Sequence, residues 1–257
     1  MKLSIIIASW NNQSTIGQTL QSILEQSYQN IEVWVIDGGS KDQTVEIIQS
    51  FQQKFQGRLH YISEKDQGIS DAFNKGVLRA TGDYIYFLGS DDYLWDKDVV
   101  SKMLEGVNPL EDWLICGKIA RVSLEGKTLY ITEVKPFHRS ELLWHMALPH
   151  QGLLTHKNFF KQYGLFDIHN VFCMDYELLL RAYHSFPRVL MKDVVVAAWR
   201  EGGVGANRIP QILKEYYQVK LKNKLASKPV LWGIYQWSLA KYYLKALLYK
   251  LGVVKCI

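Results

Sequence analysis

The stretch from Thr81 to Leu94, TGDYIYFLGSDDYL, decides the fold. Gly82-Asp83 turns the chain into Tyr84-Ile85-Tyr86-Phe87-Leu88, a short aromatic-rich apolar run that predicts a buried strand. The run stops at Gly89-Ser90-Asp91-Asp92. Adjacent carboxylates just past the carboxyl end of a buried strand stand where open α/β sheets bind ligands. Clustered oxygen donors suit a hard divalent cation, Mg or Mn, shared with a substrate phosphate. A turn followed by a helix N-cap would use the same residues for backbone reasons alone. The neighbouring chain favours the site.

Upstream, strand and helix patterns alternate. Leu3 to Ala8 is nearly continuous in Ile, as in a parallel strand covered on both faces. A second strand, Ile31 to Ile36, closes on Asp37-Gly38-Gly39-Ser40, and a third, Leu59 to Ile62, on the polar loop Ser63 to Gly68. Between them Thr15-Ile16-Gly17-Gln18 has capping-box spacing, and Ile16, Leu20, Ile23 and Leu24 mark one face of a helix ending near Ser27. A second helix turns Val45, Ile48 and Phe51 inward, and a third spans about Ser70 to Arg79. Short connections predict a mostly parallel sheet with right-handed crossovers and helices on both faces. The loops Ser9-Trp10-Asn11-Asn12, Asp37 to Ser40, Glu64-Lys65-Asp66-Gln67-Gly68 and Gly89 to Asp92 then share one edge. Acids past neighbouring strands predict a site there, and Asp37 is placed to accept hydrogen bonds from a base or ribose. Neither GxGxxG nor GxxxxGK[ST] occurs, which disfavours a dinucleotide dehydrogenase and a P-loop phosphotransferase.

After Asp92 the rhythm changes. Trp113 to Arg121 and Thr128 to Val134 predict a hairpin around Glu125-Gly126-Lys127. Helices are expected over Ser140 to Met146, Lys157 to Tyr163 and Met174 to Ser185, and strands over Gln151 to Thr155 and Val189 to Trp199. The chain divides into a nucleotide-type half (1–95), a second half completing the same domain (96–210) and a helical tail (211–257).

With 48% hydrophobic residues in 257, the chain can bury a substantial core. Its formal charge of +5 suits phosphate-bearing ligands or an anionic membrane surface and gives no ground to expect nucleic acid. Its three cysteines, Cys116, Cys173 and Cys256, have neither disulfide-framework nor zinc spacing, which fits a reducing cytoplasm. The apolar run at Leu3 to Ser9 is too short for a signal peptide and leads into Asn11-Asn12-Gln13. No spanning helix is predicted.

The segments Ile36-Asp37-Gly38-Gly39-Ser40-Lys41-Asp42, Asp71-Ala72-Phe73-Asn74-Lys75-Gly76, Ala80-Thr81-Gly82-Asp83-Tyr84-Ile85 and Leu88-Gly89-Ser90-Asp91-Asp92 resemble one known family. It is the inverting family 2 glycosyltransferases of the GT-A fold, most of all the bacterial enzymes that build O-antigen and exopolysaccharide repeat units. The similarity is specific over 1–95. It thins out to about residue 205, through His150-Gln151-Gly152 and Met174-Asp175-Tyr176-Glu177-Leu178-Leu179-Leu180-Arg181. It implies that Ser9, Asn11 and Asp37 hold the base and ribose of a nucleotide sugar, commonly UDP-linked. Asp91 and Asp92 stand for the DxD-type element: Asp91 reaches ribose or metal-bound water, and Asp92 binds a divalent cation, Mn or Mg, bridging the diphosphate. Asp175 matches the general base. The chain departs from the pattern at Gly38 and Gly89, where acids are frequent, and at Met174, where Glu often precedes the base.

Inverting transfer needs a base for the acceptor hydroxyl on one side of the anomeric carbon and charge neutralisation for the leaving diphosphate on the other. An acid from the second half and acids from the first meet that demand. The alternative for Asp175 is charge compensation at a helix N-terminus. His150 is either an acceptor-pocket or phosphate-contacting residue or a hydrogen-bonded structural one. Arg200, in Arg200-Glu201-Gly202-Gly203, either pairs with diphosphate or forms a surface ion pair with Glu201. Lys75 is a further donor-side candidate, and Phe73 stands where relatives often carry Arg.

After Glu215 there is no Asp or Glu, while lysines recur among Trp232, Tyr235, Trp237, Tyr242, Tyr243 and Tyr249. Such a tail either contacts the inner face of the cytoplasmic membrane peripherally through 225–257, near a polyprenyl-diphosphate-linked acceptor, or packs on protein. The expected function is transfer of a sugar from a nucleotide donor to a growing, lipid-linked glycan. A nucleotidyltransferase would want a cationic Gly-rich loop after strand one, which Ser9 to Gly17 lacks. A non-catalytic nucleotide-sugar or glycan-binding protein is the other alternative, because of Gly38 and Gly89.

Overall fold

Residue alternation along the first strands sets the layers. In the computed structural model, which describes residues 1–203, 205 and 208–251, β1 (Leu3–Ser9), β2 (Ile31–Asp37), β3 (Leu59–Ser63) and β4 (Tyr84–Gly89) run parallel in the order β3-β2-β1-β4. Leu3, Ile5, Ile7, Val33, Val35, Tyr84, Tyr86 and Leu88 join one core with α1 (Ile16–Leu24) and α2 (Thr44–Gln52), through Ile16, Leu20, Ile23, Ile48 and Phe51. Ile6, Ile36, Ile85 and Phe87 join a second core with Ala72 and Phe73 of α3 (Ile69–Val77). Helices therefore cover both faces, as the sequence predicts. Thr15 makes no side-chain cap to α1; its hydroxyl lies 3.5 Å from the Asn12 carbonyl instead, so the expected capping box is not formed.

The amino ends of these strands are fastened by a buried acid. Glu32 accepts from Lys2 Nζ (2.6 Å), Ser4 Oγ (2.5 Å) and both the amide and hydroxyl of Thr81 (2.6 and 2.8 Å). That network ties β1, β2 and the turn into β4 together.

The second half extends the same sheet. Its elements are β5 (Tyr93–Leu94), α4 (Val99–Leu104), β6 (Leu114–Val122), β7 (Thr128–Ile131), β8 (Leu153–His156), α5 (Lys157–Tyr163), α6 (Met174–Arg181) and β9 (Val189–Arg200). Among the described residues the sheet has nine strands, ordered β3-β2-β1-β4-β8-β6-β9-β5, with β7 on β6. β8 is antiparallel to both β4 and β6, and β9 is parallel to β6. Two helices follow, α7 (Ile209–Lys222) and α8 (Lys228–Lys250).

The expected helix over Ser140 to Met146 is a 3-10 turn at Arg139–Leu143, pinned where Tyr176 Oη donates to the Leu142 carbonyl. The helix from Met174 ends at Arg181, before a 3-10 turn at Tyr183–Ser185. Neither α4 nor the two-residue β5 is anticipated by the sequence patterns.

Candidate active site

Strand register builds the site. Ser9 lies opposite Asp37, Asp37 opposite Ser63, and Ala8 opposite Gly89, so these strand ends form one row at the carboxyl edge. The chain leaves β3 on one side of β1 and returns as β4 on its other side. The β1/β4 boundary is thus a topological switch point, where α/β sheets open a crevice.

The loops after β1 and β2 are laced together. Asn11, at φ 52°, donates its amide to Ser40 Oγ (2.8 Å) and accepts from the Lys41 amide (2.8 Å) through Oδ1. Asn12 Oδ1 accepts from Ser90 Oγ (2.8 Å), joining the first loop to the aspartate loop. Asp37 is fully buried, and its carboxylate accepts from the amides of Gly39 (3.1 Å) and Ser40 (2.9 Å) and from the hydroxyls of Ser40 and Ser63 (2.6 Å for the latter). Its contacts are with its own loop and with the last residue of β3. Ser9 Oγ is buried with no partner among the described residues, an orphaned hydroxyl at the same edge.

At the end of β4 the two aspartates fold back over Gly89. A Cβ on Gly89 would lie 2.6 Å from Asp92 Oδ2 and 2.9 Å from Asp91 Oδ1, so both carboxylates converge on one point. Asp92 is 2% exposed and accepts from the Arg200 amide (2.9 Å) through Oδ1. Thr19 Oγ1 donates to the Asp92 carbonyl (2.7 Å), anchoring the loop on α1. Burial pushes the Asp92 carboxyl up to about 7, and the Asp91 charge adds to the rise against the opposing Arg200 contacts.

Arg200 is itself buried. Its Nη2 donates to Gln18 (2.8 Å), its guanidinium lies 5.7 Å from the Tyr93 ring centroid, and its Nε has no partner among the described residues. The surface pair with Glu201 that the sequence allowed is not what holds it; Arg121 approaches Glu201, at 4.0 Å. Among the described residues no three His, Cys, Asp or Glu gather into a protein-only metal cage. Two converging carboxylates with one unfavourable shared charge nevertheless fit a divalent cation whose remaining ligands come from substrate and water.

Asp175 opens α6, beside α3. Ser70 Oγ lies 2.8 Å from Met174 Sδ, and Asn74 clamps the preceding segment by exchanging hydrogen bonds with Phe166 (2.8 and 2.9 Å). α3 begins after the loop that leaves the carboxyl end of β3, and the Ser70 contact sets the start of α6 beside it. Glu215 of α7 caps α6, accepting from the amides of Phe172 (2.9 Å) and Cys173 (3.0 Å). Asp175 Oδ1 accepts from the Tyr176 amide (2.8 Å). Its charge acts on His150, which stacks on Phe87 (5.2 Å, 18°) beside Phe73 and Phe166. Burial lowers the His150 pKa against the pull of Asp175, and its Nε2 is buried without a partner among the described residues.

Lys75 and Phe73, both on α3, lie in different surroundings. Lys75 pairs with Glu64 (2.8 Å) and Asp71 (3.2 Å), so its charge holds the loop after β3. Phe73 is buried in the aromatic group around His150 and supplies no cation. Asp66, quoted in sequence only as part of its loop, has a position the sequence does not reveal. Its Oδ2 would lie 2.8 Å from a Cβ on Gly38, and its Oδ1 accepts from the Gly68 amide (2.9 Å). No sequence signal marks Glu215 as the cap of α6. An open hollow of about 400 Å³ between Trp144 and α8 lies elsewhere, lined by Trp144, Val230, Gly233, Ile234 and Trp237. None of those side chains can do acid–base or cation chemistry.

The parallel strand ends, the paired aspartates and the Arg200 amide on Asp92 define an α/β protein with an acidic candidate site at the carboxyl edge of its sheet. The chain belongs to glycosyl transferase family 2, whose pattern matches residues 4–174. It is similar to a PGL/p-HBAD biosynthesis glycosyltransferase of Mycobacterium bovis, 28% identical over 238 residues that cover 91% of this chain and 90% of that one. An uncharacterized glycosyltransferase of Mycobacterium tuberculosis is 30% identical, over 81% of this chain and 78% of its own. Among solved structures, Staphylococcus aureus TarS 1-349 in complex with UDP superposes at a TM-score of 0.70 with 18% identity, covering 95% of this chain and 72% of that one. The mannosyltransferase PcManGT of Pyrobaculum calidifontis, in complex with GDP-Man and Mn2+, gives 0.68 with 17% identity, over 100% and 76%. These superpositions establish the GT-A fold. Among the described residues no helix is long and apolar enough to cross a membrane.

Proposed function

We propose that this glycosyltransferase inverts the anomeric centre while moving a sugar from a nucleoside-diphosphate donor, UDP-linked, to a hydroxyl of a growing lipid-linked cell-surface glycan. The observation that carries the reading is the convergence of Asp91 and Asp92 over Gly89, with Arg200 against them. The nucleotide complexes of TarS and PcManGT, on the same fold, support the donor class. In this reading the Ser9–Asn11 loop receives base and ribose, and the orphaned Ser9 hydroxyl is one of its donors. Asp37 stands beside Ser9 at the same edge for the base and ribose, and its bonds to Gly39, Ser40 and Ser63 fix its own loop, from which Ser40 Oγ accepts the Asn11 amide.

A divalent cation, Mn or Mg, held by Asp91 and Asp92, supplies neutralisation of the diphosphate charge. Arg200 adds a fixed positive charge to the same side. Asp175 has Oδ2 without a protein partner among the described residues, and takes the proton of the attacking hydroxyl. The new bond forms between that oxygen and the anomeric carbon. The bond from that carbon to the diphosphate oxygen breaks on the opposite face, and the diphosphate leaves with the electron pair. His150, kept neutral by burial beside Asp175, lines the acceptor side.

The test is sugar transfer and donor hydrolysis, with Mn, by wild type, Asp92→Asn and Asp175→Asn. Asp92→Asn is expected to lose both activities and the metal dependence. Asp175→Asn is expected to retain donor binding and lose transfer by about 100-fold or more, the usual worth of a positioned base. Full transfer activity in Asp175→Asn would remove the base assignment. Donor binding with no turnover in wild type would favour a binding protein.

A further inference from the structure

The long helix α8 is apolar on two opposite sides. On one side Leu231 and Ile234 are buried, and Tyr235 stacks on Tyr217 of α7 at 5.2 Å. That face packs the helix on its own domain. At 100° per residue the opposite side carries Trp232, Trp237, Tyr243, Leu244, Leu247 and Leu251, each 53–66% exposed. Exposed apolar residues are ordinary when scattered, but a long aromatic and aliphatic stripe, here interrupted by Gln236, marks a contact surface. Exposed lysines lie beside it, Lys241 on one border and Lys228 and Lys250 on the other, with Lys245 one step further round from Lys241. Lys241 Nζ lies 5.1 Å from the Trp237 ring.

We propose that this outer face of α8 rests in the headgroup region of a bilayer containing anionic phospholipid. Trp and Tyr suit the boundary between hydrocarbon and water, and the flanking lysines reach headgroup phosphates while their stems cover apolar surface. The helix is about 34 Å long and lies along the membrane plane. A second copy of the chain is a poor occupant. A two-fold contact would bring the same lysines together, and no acid follows Glu215 in the sequence to pair with them. The stripe is described as far as Leu251; residues 252–257 of the tail lie outside the described residues.

The test reads binding without activity, so it stands or falls separately from the donor and base assignments. Full-length protein is sedimented with phosphatidylcholine vesicles with and without phosphatidylglycerol. Binding should require phosphatidylglycerol and weaken as salt is raised. Trp232→Ser with Trp237→Ser should abolish it. Lys241→Glu with Lys245→Glu, which leaves the apolar stripe intact, should reduce partitioning by about tenfold or more. Both pairs are exposed, so their thermal midpoints should match wild type. Absence of wild-type binding, or equal binding to neutral vesicles, overturns the proposal. So does a dimer in light scattering that the tryptophan variant breaks and the lysine variant leaves intact.

Discussion

Gly89 shows how much a missing side chain can do. The family pattern often has an acid there, and its absence looks in sequence like a weakened metal site. In the fold the space is already taken, because both carboxylates of the pair lie over the Gly89 α-carbon. Gly89→Ala would push a methyl group within 2.6 Å of Asp92 Oδ2 and 2.9 Å of Asp91 Oδ1. The expected outcome is a fall of about 10- to 100-fold in activity or Mn affinity, as for other substitutions that disturb the support of a ligand. Isothermal titration with Mn and a donor measures it, and circular dichroism should show an unchanged fold. Gly38 follows the same logic, since Asp66 from the neighbouring loop fills the volume a second acid would need. Neither relationship is legible in sequence, because each depends on which distant side chain folds over the glycine.

Elements read well where local pattern and burial agree. β1, β2, β3 and β4 are apolar runs closed by turn residues, and α1, α2 and α3 carry apolar faces at helical spacing; all were legible within a few residues. The two-residue β5 exists only because β9 pairs with it, through Tyr93 with Ala198 and Leu94 with Ala197, which no local pattern announces. The six-residue α4 is too short to show a period. The carboxyl-edge acids were legible as a group, whereas the α7 glutamate that caps α6 was not.

At the opposite edge, the Glu32 network supports a stability prediction. Burial alone would raise the Glu32 pKa, but the contacts from Lys2, Ser4 and Thr81 outweigh it and hold the carboxyl down at about 2. Its folded pKa lies below the unfolded value, so its stabilisation is present at neutral pH and fades as acid approaches the folded pKa. Glu32→Gln should cost about 1–3 kcal/mol at neutral pH. The gap to wild type should close between about pH 4 and pH 2. Thermal midpoints across that range check it, and a constant gap would count against the charged network.

At the scale of the whole molecule, the candidate site draws on chain segments far apart in sequence, with Arg200 on Asp92 and with His150 between Phe87 and the charge of Asp175. Residues 9–12, 37–40 and 89–92 come from the parallel strands. His150, Asp175 and Arg200 come from the later chain, and the Arg200 amide closes on Asp92 (2.9 Å). Which strand of the second half lies beside β4 is decided by tertiary packing. Sequence patterns alone therefore supplied the strands β8, β6 and β9 but not their order.

The antiparallel pairing of β8 with β4, through Tyr84 with His156, Ile85 with Thr155 and Tyr86 with Leu154, makes the molecule hard to divide. A fragment stopping at residue 95 would leave a fully apolar strand with an open flank and its aspartate loop without a lock. Such an edge recruits other chains, so the expected product of expressing that fragment alone is insoluble material. Supplying the complementary piece in the same cell should restore solubility, as a split reporter does when its halves meet.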